Sequence, residues 1–288
     1  NTIKLALKKL IFIFVWQFLY ERQLLMKISL IEAELSRLNN DYNFNLIEDL
    51  VKKAGEGNPD VIVLPEIFNT AEIDYQAREY VDNNGEYTKE LMAKLSKKLH
   101  TYIVGGSILE KRDEEIYNTS YVFDRSGNIL GSYDKTHLYS SSGEKDIVKA
   151  GNDRLIFEID GIRCGVVICY DIEFASWVTS YALDGVDVLF NPAAWHQDWM
   201  INYDSLIRAR AIENQIFVVG VNSTGRAYEG YFGGHSQIVD PMGRYIIDPN
   251  TKGPIKTKSI DINDTKDYKE TFKILKDRRE DLYRKLYN

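Results

Sequence analysis

The chain has 288 residues, 44% hydrophobic and 27% charged, a composition that suits a globular protein with a sizeable core. Its formal net charge is −7, from 36 basic and 43 acidic residues. That balance, with no basic stripe on any one segment, argues against nucleic-acid binding. Two cysteines are too few for a disulfide framework and point to a reducing, cytoplasmic setting.

Residues 1–25 read as an extension outside the fold. The apolar run Leu10–Trp16 follows Lys4, Lys8 and Lys9 but is broken at Gln17 and Glu21-Arg22. It is too short to span a membrane and no small-residue cleavage site follows it, so no stable membrane association is expected. A membrane-associating helix is the competing reading. From Met26 to Asn288 no linker-like run interrupts the chain, which predicts one domain over 26–288.

Within that domain, Lys27–Glu32 reads as a strand, and Asn43–Lys53 has helical spacing of Leu46, Ile47, Leu50 and Val51. Val61–Leu64 is wholly apolar, as in a strand buried on both faces. A helix is predicted over Tyr87–Leu99 and a strand over Tyr102–Ser107. Hairpins follow, Ile116–Phe123 with Ile129–Tyr133 and Arg154–Ile159 with Arg163–Ile168, each about a turn-forming segment. Further strands are predicted at Val186–Phe190, Phe217–Asn222, His235–Val239 and Arg244–Ile247. Helices are predicted over Trp199–Asn214 and Tyr268–Tyr287, the second carrying Phe272, Leu275, Leu282 and Leu286 among many charges. Helical crossovers mixed with hairpins predict an α/β fold, a four-layer α-β-β-α sandwich of two mixed β-sheets flanked by helices.

Three segments share one design, an apolar strand that ends in a reactive side chain. In Val61-Ile62-Val63-Leu64-Pro65-Glu66, Pro65 halts the ladder and Glu66 sits at the strand's mouth, where an apolar setting suits a general base. In Leu130–Leu138, Lys135 follows a strand and is placed to stabilise an oxyanion. In Ile162–Cys169 the strand delivers a thiol to its own end, just before a predicted helix start, where a thiolate is favoured. Cys164, five residues earlier, faces the other way on the same strand and cannot pair with it. Taken singly, each has a plainer explanation: a surface glutamate, a lysine paired with Asp134, a small buried cysteine.

Taken together, the segments Leu64-Pro65-Glu66, Tyr133-Asp134-Lys135-Thr136-His137-Leu138 and Cys169-Tyr170-Asp171 resemble the nitrilase superfamily of carbon–nitrogen hydrolases. Arg208–Asn214, Gly234-His235-Ser236 with Val239-Asp240-Pro241, and Asp277–Tyr283 are similar to its helix beneath the active site, its late hairpin and its tail. The resemblance runs from Met26 to the C-terminus and implies a Glu-Lys-Cys triad. In it Glu66 handles protons, Cys169 attacks an amide-type carbon, and Lys135 with the Tyr170 backbone N–H stabilises the oxyanion. Gly143-Glu144 matches a second glutamate of the amidase members, which orients the lysine or the attacking water. The resemblance also implies a homodimer, a small-molecule substrate and no cofactor.

The substrate is less legible. Members acting on ω-amido acids commonly carry Cys-Tyr-Asp-x-Arg-Phe, and Glu173 stands where that arginine would be. This favours a neutral or cationic amide, or an N-carbamoyl compound, over a dicarboxylate monoamide; nitriles are chemically open to the same triad. Trp195 and His196, with Trp199, lie in a segment that often lines the family's pocket. A papain-like enzyme would need a histidine base from His100, His137, His196 or His235, and no protease signature surrounds Cys169. No paired cysteines or histidines have zinc-ligand spacing. A catalytically silent scaffold of the same fold is the non-enzyme alternative.

Overall fold

In the computed structural model, residues 24–286 are described, apart from residue 228. The chain runs β1 (Leu25–Ile31), β2 (Glu34–Leu35), α1 (Asn40–Gly55), β3 (Val61–Val63), β4 (Asp82–Asn83), α2 (Glu86–Leu99), β5 (Tyr102–Val104), β6 (Ile108–Arg112), β7 (Glu115–Phe123) and β8 (Ile129–Asp134). It continues through β9 (Leu155–Ile159), β10 (Ile162–Val166), α3 (Ala175–Leu183), β11 (Val188–Ala193), α4 (Met200–Asn214), β12 (Phe217–Asn222), β13 (Thr224–Gly225), β14 (Gln237–Val239), β15 (Tyr245–Ile247), β16 (Ile255–Asp261), α5 (Lys266–Thr271) and α6 (Glu280–Leu286).

Two mixed sheets result. One has the order β16-β1-β3-β5-β7-β6-β4, with β8 also paired to β7, and the other the order β15-β14-β12-β11-β10-β9. Alternation along the strands explains the layers. Ile28 and Leu30 of β1, Val61 and Val63 of β3, Val104 and Val122 join one core with Cys164 and Val166 of β10, Phe190 and Val219. The intervening residues Ile62, Ile103 and Phe123 join a second core with Phe44, Ile47 and Val51 of α1 and Leu91, Met92 and Leu95 of α2. Each such side chain contributes about 1.5–3 kcal/mol by leaving water. The α/β sandwich expected from the sequence is therefore the observed architecture. Among the described residues no helix is long and apolar enough to cross a membrane.

Parallel pairing of β1 with β3 and of β10 with β11 requires helical crossovers, which α1 and α3 supply. The carboxyl ends of β3, β10 and β11 then open toward one region, where parallel sheets commonly bind ligands.

Several expectations need correction. The sheet begins at Leu25, and the Leu24 carbonyl accepts from the Ile262 N–H at 3.1 Å, so the strand starts before the expected boundary at Met26. The run Leu10–Trp16 lies outside the described residues. The strand expected over Tyr102–Ser107 stops at Val104, because Gly105-Gly106-Ser107 wraps the Pro65 turn; β6 then resumes along β7. β10 stops at Val166 rather than Ile168: the Ile168 N–H is taken by Asp171 Oδ2 at 2.9 Å, so Cys169 sits in a turn and not on the strand of Cys164. The strand β16 was not expected. Its Lys256 and Lys258 mask the apolar period, yet it pairs along the whole of β1. The expected helix Tyr268–Tyr287 is two helices, α5 and α6. Gln215 Nε2 takes the Phe272 carbonyl at 2.6 Å and Leu275 packs on the core, which a straight helix would prevent.

Candidate active site

Cys169 opens a short 3-10 turn, Cys169–Glu173, directly after β10. Its φ of 45° lies in the left-handed region, which costs a non-glycine residue about 1–3 kcal/mol and persists only where the surroundings impose it. They do so mainly through Asp171. Its buried carboxylate accepts from the Ile168 N–H (2.9 Å), the Tyr133 hydroxyl (2.7 Å) and the His137 N–H (2.8 Å), and pairs with His137 Nδ1 (2.7 Å). One side chain therefore joins the cysteine turn to both flanks of Lys135. Arg210 of α4 holds the far end of the turn, donating to the Ile172 and Glu173 carbonyls at 2.8 Å each.

Glu66 follows β3 by way of Pro65. Gly106 lies against this turn with a φ of 58°, and a Cβ on it would sit 2.0 Å from the Pro65 carbonyl oxygen, so only glycine lets the two segments meet. Ser107 Oγ accepts from the Ile67 N–H at 2.9 Å, and Glu66 Oε2 accepts from the Ala194 N–H at 2.8 Å. Lys135 follows β8 and is anchored by its own N–H to the Asn118 carbonyl at 2.9 Å.

These elements converge on one buried charge cluster. Lys135 Nζ lies 2.9 Å from Glu66 Oε1 and 3.1 and 2.9 Å from the two oxygens of Glu144. Lys135 is 2% exposed, Glu66 2% and Glu144 1%. The Tyr139 N–H donates to Glu144 Oε2 at 2.7 Å. Asn118 Nδ2 donates to Glu66 Oε1 at 2.9 Å and to Glu144 Oε1 at 3.3 Å.

The electrostatics follow from burial and proximity. Burial opposes the Lys135 charge, but the Glu144 and Glu66 carboxylates outweigh it and hold the ammonium well above its ordinary pKa. Burial raises the Glu144 pKa, with Lys135 opposing the rise and Glu66 adding to it. Burial, then the Glu66 carboxylate, pushes the Cys169 thiol well up, while Lys135 and the Ala194 N–H pull the other way. The resting site thus holds a neutral thiol beside an ammonium. This differs from the thiolate expected of a helix start: the turn is short and buried, and desolvation prevails.

All four residues expected to do chemistry, Glu66, Lys135, Cys169 and Glu144, come together. The expected substrate-binding residues flank them. The Tyr170 ring lies 5.1 Å from that of Tyr139 and 5.3 Å from that of Phe174. Trp195, beside Ala194, packs its ring 5.3 Å from Tyr203, and its backbone N–H donates to Asn222 Oδ1 at 2.7 Å. His196 holds a loop: Nδ1 accepts from the Asp198 N–H at 3.3 Å and Nε2 meets the Glu229 carbonyl. Glu173 is partly exposed. Asn118 was not singled out from the sequence, although Asn118-Thr119-Ser120 inside an otherwise apolar strand was a signal of buried polar work.

A cysteine beside a lysine clamped by two glutamates, on a double-sheet scaffold, is the arrangement of a cysteine-dependent hydrolase. The chain belongs to the carbon–nitrogen hydrolase family, which it matches over residues 27–270. It is 34% identical over 256 residues to a 2-oxoglutaramate amidase of Bacillus subtilis, covering 89% of this chain and 98% of that one. It is 30% identical over 266 residues to an omega-amidase of Xenopus laevis, covering 89% and 96%. Among solved structures, Saccharomyces cerevisiae Nit3, a member of branch 10 of the nitrilase superfamily, superposes with a TM-score of 0.81 at 25% identity, covering 89% of this chain and 97% of that one.

Proposed function

We propose that the protein cleaves the carbon–nitrogen bond of a small amide through a thioester on Cys169, with Glu66 as general base and acid, Lys135 as oxyanion stabiliser and Glu144 as the group that orients Lys135. The observation that carries this reading is Lys135 Nζ, buried and 2.9 Å from both Glu66 and Glu144, beside the Cys169 thiol. Because the thiol rests neutral, its proton passes to Glu66 as sulfur attacks the carbonyl carbon. The oxyanion forms beside Lys135, which stays protonated, and beside the Tyr170 N–H. Collapse expels the amine, which takes the proton from Glu66 and leaves the thioester. Water then gives a proton to Glu66 and adds to the thioester carbon. Cys169 departs with that proton, so amide and water become acid and amine. The Cys169→Ala variant is expected to release no ammonia from a substrate the native protein cleaves; release at the native rate overturns the assignment.

Glu173 directs the substrate reading. A carboxylate four residues past Cys169 opposes a substrate carboxylate, so we place neutral or cationic amides and N-carbamoyl compounds first. A dicarboxylate monoamide is the second reading, favoured by the names of the amidases of Bacillus subtilis and Xenopus laevis. An ammonia-release panel of aliphatic amides, N-carbamoyl amines, ω-amido acids and nitriles separates them. Activity confined to ω-amido acids refutes the Glu173 argument.

A cytoplasmic homodimer completes the proposal. Two free, buried cysteines support a reducing setting. The exposed Leu183 of α3 and Ile201 and Ile212 of α4, the second 83% exposed, support a partner face. Sedimentation showing only monomer at micromolar concentration counts against it.

A further inference from the structure

Asn118 is fully buried in β7, and both its side-chain amide and its backbone carbonyl reach the charge cluster. Its Nδ2 donates to Glu66 Oε1 (2.9 Å) and Glu144 Oε1 (3.3 Å), while its backbone carbonyl receives the Lys135 backbone N–H (2.9 Å). The side-chain orientation is unambiguous, since the flipped amide would set its oxygen against two carboxylates. Glu66 Oε1 is then filled by two donors, Asn118 and Lys135. Glu66 Oε2 has one, the Ala194 N–H, which also touches the Cys169 thiol.

We infer that Asn118 is a positioning residue of this site: it holds Oε1 of both glutamates against Lys135 and so leaves Oε2 of Glu66 as the oxygen that receives the Cys169 proton. The inference rests on the assignment of Glu66 as base to Cys169. Charged and titratable groups facing Asn118 and the two carboxylates come from five other segments. They are Glu66 after β3, Lys135 after β8, Glu144 in its own turn, and Cys169 after β10 with the Tyr203 hydroxyl of α4 behind it. A donor to a carboxylate stabilises its anionic form, and losing Asn118 removes one of the two donors on Glu66 Oε1.

The test is the pH profile of Cys169 alkylation by iodoacetamide, followed by peptide mapping with Cys164 as internal reference. It needs no substrate. In the native protein Cys169 reacts faster than Cys164. In Asn118→Leu the acidic limb of the Cys169 profile moves up by about one pH unit. In Asn118→Asp, which places a third carboxylate there, it moves further. Asn118→Ser removes the same donor with less bulk and gives the same shift should leucine not fold. A limb that stays in place, or the order Leu above Asp, overturns the inference while leaving the nucleophile assignment intact. Cys169 no faster than Cys164 in the native protein overturns both.

Discussion

Replacing Lys135 by methionine leaves Glu66 and Glu144 buried, 2% and 1% exposed, without their cation. Removing one partner of a buried ion pair costs about 3–5 kcal/mol, because the remaining charge is uncompensated. For a chain of this size each kcal/mol lowers the melting temperature by about 2–4 °C, so a fall on the order of 10 °C is expected near pH 8. The sign with pH is the sharper part. Burial already raises the Glu144 pKa, and Lys135 is what restrains the rise. Without Lys135 the folded state binds a proton on this pair more tightly than the unfolded chain does. A raised carboxyl contributes stability below its unfolded pKa and loses it as pH climbs through the folded value. The deficit of Lys135→Met therefore shrinks from pH 8 to pH 5. The native protein shows no such term from Lys135 in this window, since a raised lysine keeps its full contribution below its unfolded pKa and loses it only as pH climbs from there through the folded value. Differential scanning calorimetry of both proteins at the two pH values measures this. A deficit under about 1 kcal/mol at pH 8, or one that is equal or larger at pH 5, refutes the reasoning.

Other sites give independent checks. Gly106→Ala puts a Cβ 2.0 Å from the Pro65 carbonyl oxygen at a φ of 58°, which displaces the turn that carries Glu66. Turnover is expected to fall at least about tenfold with the fold retained, because small misplacements of catalytic groups are costly; native turnover means the turn adapts. Asp171→Asn exchanges an acceptor-only carboxylate for an amide that meets the donors Ile168 N–H, His137 N–H and the Tyr133 hydroxyl. About 2–4 kcal/mol of stability should be lost in urea denaturation, together with activity, as expected for a broken buried network; an unchanged midpoint removes Asp171 as the tie between the two segments.

Glu66, Lys135 and Cys169 were legible as candidates because each sits in a short motif at the end of an apolar run. The sequences Leu64-Pro65-Glu66, Tyr133–Leu138 and Cys169-Tyr170-Asp171 carry local signals that do not depend on what lies across the sheet. The helices α1 and α2 and the strands β1, β3, β7 and β12 were readable for the same reason: periods of 3.6 and 2 are local properties of the chain. β16 was not, because its lysines and its pairing with β1 are decided by an open sheet edge over 200 residues away in sequence. Nor was the division of the C-terminal helix, where Gln215 takes the Phe272 carbonyl and Leu275 packs on the core.

What the sequence by itself determined is the choice of chemistry: a thiol, a cation and two carboxylates, each delivered by its own segment. Only the tertiary structure decided how they meet. Glu66 and Lys135 are 69 residues apart in the chain and 2.9 Å apart in space. The left-handed turn at Cys169, the neutral resting thiol and the two-handed amide of Asn118 arise from burial and long-range hydrogen bonds. Those forces depend on which segments meet, and no local pattern encodes them.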